Sequence, residues 1–248
     1  MDRRNFLGKA AITSAALCAP ARLAAQAGPD RKTRRILEIA REQMDRAGSK
    51  LWRQDKAAIV DFGVHSAIPR FHIADMEAGS VRSLLVSHGS GSDPEHDGWL
   101  NEFSNLHNSW ATSSGAYVSW EWYEGRYGTS MRLEGLEETN SNAFPRAIVM
   151  HQASYATPAH LERWGRLGRS NGCFAIGPEV FSQALYLLSS GRLLFAEKLG
   201  IGENGEDVEQ PEHAPVDFEA AIADRRIAAQ ADDAELDLAE ITGSETAE

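Results

Sequence analysis

The feature that constrains this chain most is a train of short apolar or alternating segments, each closed by a turn residue. "KAAIVDFG" (Lys56 to Gly63), "RFHIADME" (Arg70 to Glu77), "SVRSLLVSHG", "GAYVSWEWYEG", "GTSMRLEG" and "PRAIVMHQ" follow one another, with Gly63 and Pro69 as punctuation. Runs of this length and composition predict strands. No internal repeat is present, and strands do not alternate with long helices. The expected fold is therefore mostly β with peripheral helices: an antiparallel sandwich or barrel-like sheet with a helix in front. The aromatics Trp120, Trp122, Tyr123 and Tyr127 read as one strand face rather than a ligand platform.

Three helices flank the strands. Ile36, Ile39, Ala40 and Met44 make a helical stripe within Arg31 to Ala47, and Gly48 is a natural stop. "TPAHLERWG" has Thr157 as cap and Pro158 at the first position, and "GPEVFSQALYLLSSG" starts on Pro178 and ends at Gly191.

The first 27 residues stand apart. Arg3 and Arg4 are paired, Phe6 and Leu7 follow, an Ala-rich stretch comes next, and Ala25-Gln26-Ala27 is a small-x-small site. This order predicts an export signal of twin-arginine type and a periplasmic or cell-envelope destination. After its removal no segment is long and apolar enough to span a membrane. Cys18 falls within the signal, so the mature chain keeps one cysteine, Cys173. A lone thiol makes no internal disulfide and no multi-cysteine zinc site. It is either a buried spectator or a nucleophile.

The net charge of -11 belongs to the C-terminus. From Glu203 to Glu248 there are 15 Asp and Glu against 2 Arg, and the rest of the chain carries +2. This acidic stretch has few large apolar residues, so 203–248 is expected to be a solvated, disordered tail, with a short helix over Asp217 to Ala231 as the alternative. An acidic tail argues against a nucleic-acid partner. The expected domain is 28–202.

Cys173 lies in "GRSNGCFAIG", and His151 ends the apolar run "RAIVMH" 22 positions earlier. A thiol needs a nearby base and donors for the oxyanion that forms on attack. A strand end is a rigid place for such a base. Gly172, before the cysteine, lets substrate approach the backbone, and the amides of Asn171, Gly172 and Cys173 are candidate oxyanion donors. Read from residues alone, a core cysteine and a satisfied buried histidine explain the same letters.

The wording on both sides resembles a known family. "SNGCFAI" is similar to the Ser/Thr-x-Gly-Cys motif of YkuD-type L,D-transpeptidases. "VSHGSGSD", "EFSNLHNSWATSSGAY", "YEGRYGTSMRLEGLEETNSNA" and "PRAIVMH" resemble the murein L,D-transpeptidase catalytic domain branch, over about Lys56 to Phe195. The resemblance implies a YkuD-like β-sandwich or barrel-like catalytic domain. It implies Cys173 as acylated nucleophile, His151 as general base, and Ser170, Gly172 and the Cys173 amide as the turn shaping the oxyanion hole. Tyr155 and Arg169 match positions near the cleft, and His88, in "SHGSGSD", is a cleft-lining candidate or a turn residue. Two departures stand out: Asn171 where the better-known branch has histidine, and Gln152 where glycine follows the base.

The implied chemistry is acyl transfer on peptidoglycan stem peptides through a Cys173 thioester, with no metal or organic cofactor. An amine acceptor gives a cross-link; water gives an L,D-carboxypeptidase. A wall-binding domain with an inert thiol is the rival reading. The remaining histidines, His65, His72, His96, His107, His160 and His213, show no paired metal-ligand spacing. Sortase-type and papain-type cysteine enzymes fit poorly, the first for want of its Thr-Leu-x-Thr-Cys string and the second for its reversed Cys-before-His order.

Overall fold

The structure is a computed structural model that describes residues 28–125 and 128–230. The twin-arginine signal, Cys18, Tyr127 and the tail beyond 230 lie outside the described residues. Helix α1 (Arg31–Ala47) opens the domain, and the Asp30 side chain caps it by accepting from the Thr33 amide at 2.7 Å. Strands β1 (Lys56–Asp61), β2 (Phe71–Asp75), β3 (Ser80–Leu84), β4 (Gly115–Gly125), β5 (Gly128–Gly135) and β6 (Val149–Gln152) follow. Helix α2 (Pro158–Trp164), strand β7 (Phe174–Ile176), helix α3 (Pro178–Leu188) and strand β8 (Leu193–Glu197) complete the order.

All eight strands form one sheet, in the order β3-β2-β1-β8-β4-β5-β6-β7. The sheet curls until its ends meet. Just past β3, Ser87 donates its amide to the Ala175 carbonyl of β7 at 2.9 Å, and Gly89 bridges to Ser170. The fold is thus mostly β, barrel-like and flanked by helices, as the turn-punctuated runs predict.

Two pairings depart from the antiparallel expectation: β1 with β8, and β6 with β7, are parallel. Both escape a reading based on hairpin-length spacing, because a parallel neighbour returns through a crossover. β8 and β7 are also short enough to be hidden beside helices.

The barrel interior holds Val60, Phe71, Tyr117, Met131, Leu133, Met150 and Phe174, and α3 closes it with Phe181, Ala184 and Leu188. A second core lies on the opposite face, where Ile36, Leu37, Ala40 and Met44 of α1 meet Ala57, Ile59, Val118 and Phe195. Burying each Ile, Leu, Val or Met side chain of this core contributes about 1.5–3 kcal/mol.

The acidic stretch after 202 keeps most of its side chains in solvent yet touches the domain. Gln210 donates to the Phe62 carbonyl at 2.8 Å, and residues 218–230 are helical. From that helix Arg225 lies 4.4 Å over the Trp110 ring and donates to the Asn108 and Ser109 carbonyls.

Candidate active site

A spacing of 22 residues is what a short parallel crossover needs. Strand β6 ends near His151, α2 crosses over, and the chain re-enters as β7 directly after Cys173. The register pairs Met150 with Phe174 and His151 with Ala175. Met150 and Phe174 point into the interior core. Strand alternation therefore turns His151 to the outer face, and Cys173, two residues before Ala175, to that same face. On the next strand Ser130 pairs with His151 and Arg132 with Val149, so Arg132 shares it.

His151 is buried, and its Nδ1 lies 2.9 Å from the Gln152 carbonyl oxygen. A carbonyl only accepts, so Nδ1 carries the proton and the basic lone pair falls on Nε2. Burial lowers the affinity of the ring for a second proton, while the Gln152 carbonyl partly restores it. Gln152 meets the ring through its main chain, so its side chain does not disturb this contact. His151, Gln152, Ser154, Tyr155 and Pro178 line an open cavity of about 360 Å³.

Cys173 is half-buried, and its thiol donates to the Ala147 carbonyl at 3.7 Å. Ala147 has φ of +54°, a left-handed conformation that costs a non-glycine residue about 1–3 kcal/mol. The surrounding protein raises the thiol's pKa above its ordinary value, against the Val149 main-chain N–H and the charge of Arg146, which lower it.

Ser170 staples the turn before the cysteine. Its hydroxyl donates to the Cys173 carbonyl at 2.7 Å and accepts from the Gly172 amide at 3.2 Å. Two expectations are corrected here. The Gly172 amide is spent on Ser170 and does not point at substrate. Gly172 is required for a different reason: its φ is +110°, and a Cβ there would sit 2.7 Å from the Ala111 carbonyl oxygen and 2.8 Å from Ile148. The glycine faces a packed wall rather than an open cleft. Asn171 is exposed at the tip of the turn.

His88 does not line the cleft. It is 2 % exposed and held between Arg70 Nη2, 2.6 Å from its Nδ1, and Asp93 Oδ2, 3.1 Å from its Nε2. Arginine only donates, so Nδ1 accepts and Nε2–H donates to Asp93. Burial holds the ring neutral, with its pKa lowered to about 4. Its carbonyl receives the Ser170 amide at 2.9 Å, so His88 belongs to the platform under the 170–173 turn. Arg169 is likewise drawn away from the cleft, onto the Asp93 and Pro94 carbonyls. Tyr155 remains at the cavity beside His151, packed on Gly168.

Arg146 is a site residue that reading by motif misses. Its guanidinium donates to the Ser104 and Ala111 carbonyls and to the Ser113 and Ser109 hydroxyls. All four acceptors are neutral, so its charge is not cancelled by a carboxylate. The Ala111 carbonyl it holds is the one packed against Gly172. The signal in the sequence is a charged residue at the mouth of an apolar run, in "PRAIVMH". Among the described residues no three or more His, Cys, Asp or Glu gather as a metal site, and no helix is long and apolar enough to cross a membrane.

A family model described as the L,D-transpeptidase catalytic domain matches residues 30–196. No curated protein matches the chain. Solved structures that resemble it include an L,D-transpeptidase from Mycobacterium smegmatis, at 14% identity over 58% of this chain and 58% of that one, with a TM-score of 0.35. An L,D-transpeptidase from Mycobacterium tuberculosis gives 13% identity over 58% and 57%, with a TM-score of 0.37. The helical cell shape determining protein Pgp2 of Campylobacter jejuni gives 14% identity over 80% and 63%, with a TM-score of 0.38. The matched region spans less than two thirds of the length of each of these chains.

Proposed function

The chain belongs to the L,D-transpeptidase catalytic domain family, and from that premise we propose that it is a cysteine acyltransferase acting on peptidoglycan stem peptides in the cell envelope. One observation carries the reading. The parallel β6–β7 register sets His151 and Cys173 on one outward face, and the contact of His151 Nδ1 with the Gln152 carbonyl puts the basic lone pair on Nε2.

In the first half-reaction His151 Nε2 takes the thiol proton as sulfur attacks the carbonyl carbon before a terminal D-residue. The carbonyl π electrons move to oxygen, and main-chain N–H groups of the 171–173 turn other than that of Gly172 hold the oxyanion. Each such donor supplies about 2.7–4 kcal/mol. Collapse breaks the C–N bond, the leaving amine takes the proton from His151, and a thioester remains. In the second half-reaction an amine of another stem peptide attacks the thioester carbon and gives its proton to His151. The C–S bond breaks, and sulfur recovers the proton. Water in place of the amine yields an L,D-carboxypeptidase.

Environment favours the neutral form of both groups, since burial raises the thiol and lowers the imidazole. The proton therefore moves during attack rather than resting in a preformed thiolate–imidazolium pair. Export through the twin-arginine signal would deliver the enzyme to its wall substrate.

Turnover tests the proposal. The protein should release the terminal D-amino acid from a stem tetrapeptide, and Cys173→Ala should abolish release. Peptidoglycan retention with an unreactive thiol and no release would favour the binding-domain reading instead.

A further inference from the structure

A wide cavity lies beside the thiol rather than at it. About 600 Å³ of space is lined by residues that include Trp120, Glu121, Trp122, Tyr123, Arg132, Glu134 and Phe144. A smaller cavity of about 140 Å³ shares Tyr123, Arg132 and Phe144 with it and continues to Ala147 and Val149. Ala147 is the residue whose carbonyl the Cys173 thiol faces. The two spaces share three lining residues and together form one trough along the outer face of β5, which ends at Ala147 to Val149, next to Cys173.

The charge within this trough is unusual. Arg132 packs its guanidinium 4.6 Å from the Tyr123 ring and 5.9 Å from Phe144. Among the described residues its guanidinium has no hydrogen bond and no ion pair. The acid nearest in sequence on the same face, Glu134, is engaged elsewhere, accepting from Trp120 Nε1 at 2.8 Å. A planar fork steadied by two rings and left without a carboxylate suits bidentate capture of one. The wall around it is apolar and open, with Trp120 at 38 % and Phe144 at 52 % exposure.

We propose that this trough is a substrate subsite in which Arg132 captures a free carboxylate of the peptide being acylated, while the aromatic wall takes its apolar stem. This deepens, and rests on, the acyl-transfer reading of the same face. The register fixes the reach. Arg132 pairs with Val149, and one residue of ladder extension puts Val149 beside Cys173. Two strand spacings separate Arg132 from Cys173, about 10 Å at the backbone. An extended peptide covers that in about three residues. The carboxylate recognised is therefore one carried within three residues of the attacked carbonyl.

Binding to Cys173→Ala protein tests this without turnover. A stem tetrapeptide with free side carboxylates and the same peptide with those groups amidated are titrated by calorimetry, with the Trp120 and Trp122 indole resonances followed by NMR. The free acid should bind about tenfold tighter and shift both indoles. Adding Arg132→Gln should bring the two peptides to the same affinity, and Arg132→Lys should keep part of the preference. Melting temperatures equal to the parent's verify the fold of both variants. Equal binding of the two peptides, a preference that survives Arg132→Gln, or no binding of either overturns the subsite. If the preference is present but the intact protein never releases a D-amino acid, the subsite stands and the acyl-transfer reading falls.

Discussion

Two buried histidines sit on either side of the turn that carries Cys173, and their surroundings differ. His151, on β6, has one ring nitrogen on a main-chain carbonyl and the other ring face toward a cavity. His88, beyond β3, has both nitrogens committed, one to Arg70 and one to Asp93. Burial lowers the proton affinity of each. Burial and a shifted pKa are common to both rings and so do not by themselves mark a base; what separates them is that His151 lines an open cavity and His88 does not. On the proposed mechanism His151 is the proton acceptor, while the contacts of His88 with Arg70 and Asp93 make it a strut.

The sharpest way to break that contrast is to remove each ring in turn. His151→Gln should lower D-amino acid release about 10²- to 10⁴-fold while leaving the melting temperature near that of the parent. His88→Ala should do the reverse in character. It takes one hydrogen-bond partner from the buried Arg70 guanidinium and one from the buried Asp93 carboxylate, at a cost of about 1–3 kcal/mol, read as a lower denaturant midpoint. A fully folded His88→Ala protein with lost chemistry would erase the distinction.

Arg146 sharpens it further, because it acts on the thiol through charge. Arg146→Met should slow iodoacetamide labelling of Cys173 at pH 8 about tenfold and move the labelling midpoint to higher pH. Arg146→Lys should recover part of this. Equal losses in both variants would make Arg146 purely a structural tie.

The pH dependence of stability belongs to the strut side. His88 and His72 are held neutral in the fold, with pKa values of about 4 and about 3. In the unfolded chain they take up protons near the ordinary value of 6.5. Stability should then be full above pH 6.5 and fall as pH drops toward 4, by up to about 1.4 kcal/mol per pH unit for each ring. Urea midpoints across this window measure it. The smallest effect expected is from Arg225→Ala, which frees the C-terminal helix from Trp110 at about 0.5–1 kcal/mol, seen as faster amide exchange over 218–230.

Much of this was legible in the letters, and the reasons are local. The boundaries of α1 are set by Asp30, the Ile36–Met44 stripe and Gly48, all of which act within a turn or two. "GTSMRLEG" is β5 to the residue, because alternation of Met131 and Leu133 against Arg132 and Glu134 needs only one buried face. The identity of Cys173 and His151 as the pair to watch came from order and motif. What the letters withheld depends on distant partners. Nothing near His88 in sequence announces Arg70, and the parallel partners of β1 and β6 are reached only through crossovers. Gly172 shows the same limit: its necessity is plain, but only the Ala111 carbonyl and Ile148 reveal why. Arg146 is hidden for the same reason, since its four acceptors lie in the 104–113 loop, more than thirty residues away.

The central claim, that His151 draws the proton from Cys173, is most directly tested by the rate at which a carbapenem adds to Cys173 as a function of pH, followed by intact mass. The parent protein should form a single adduct, with a rate that rises along a limb below pH 6.5 as His151 becomes neutral. His151→Gln should lose that limb and react at least about a hundredfold more slowly. The same profile in both proteins, or no adduct on the parent, would contradict it.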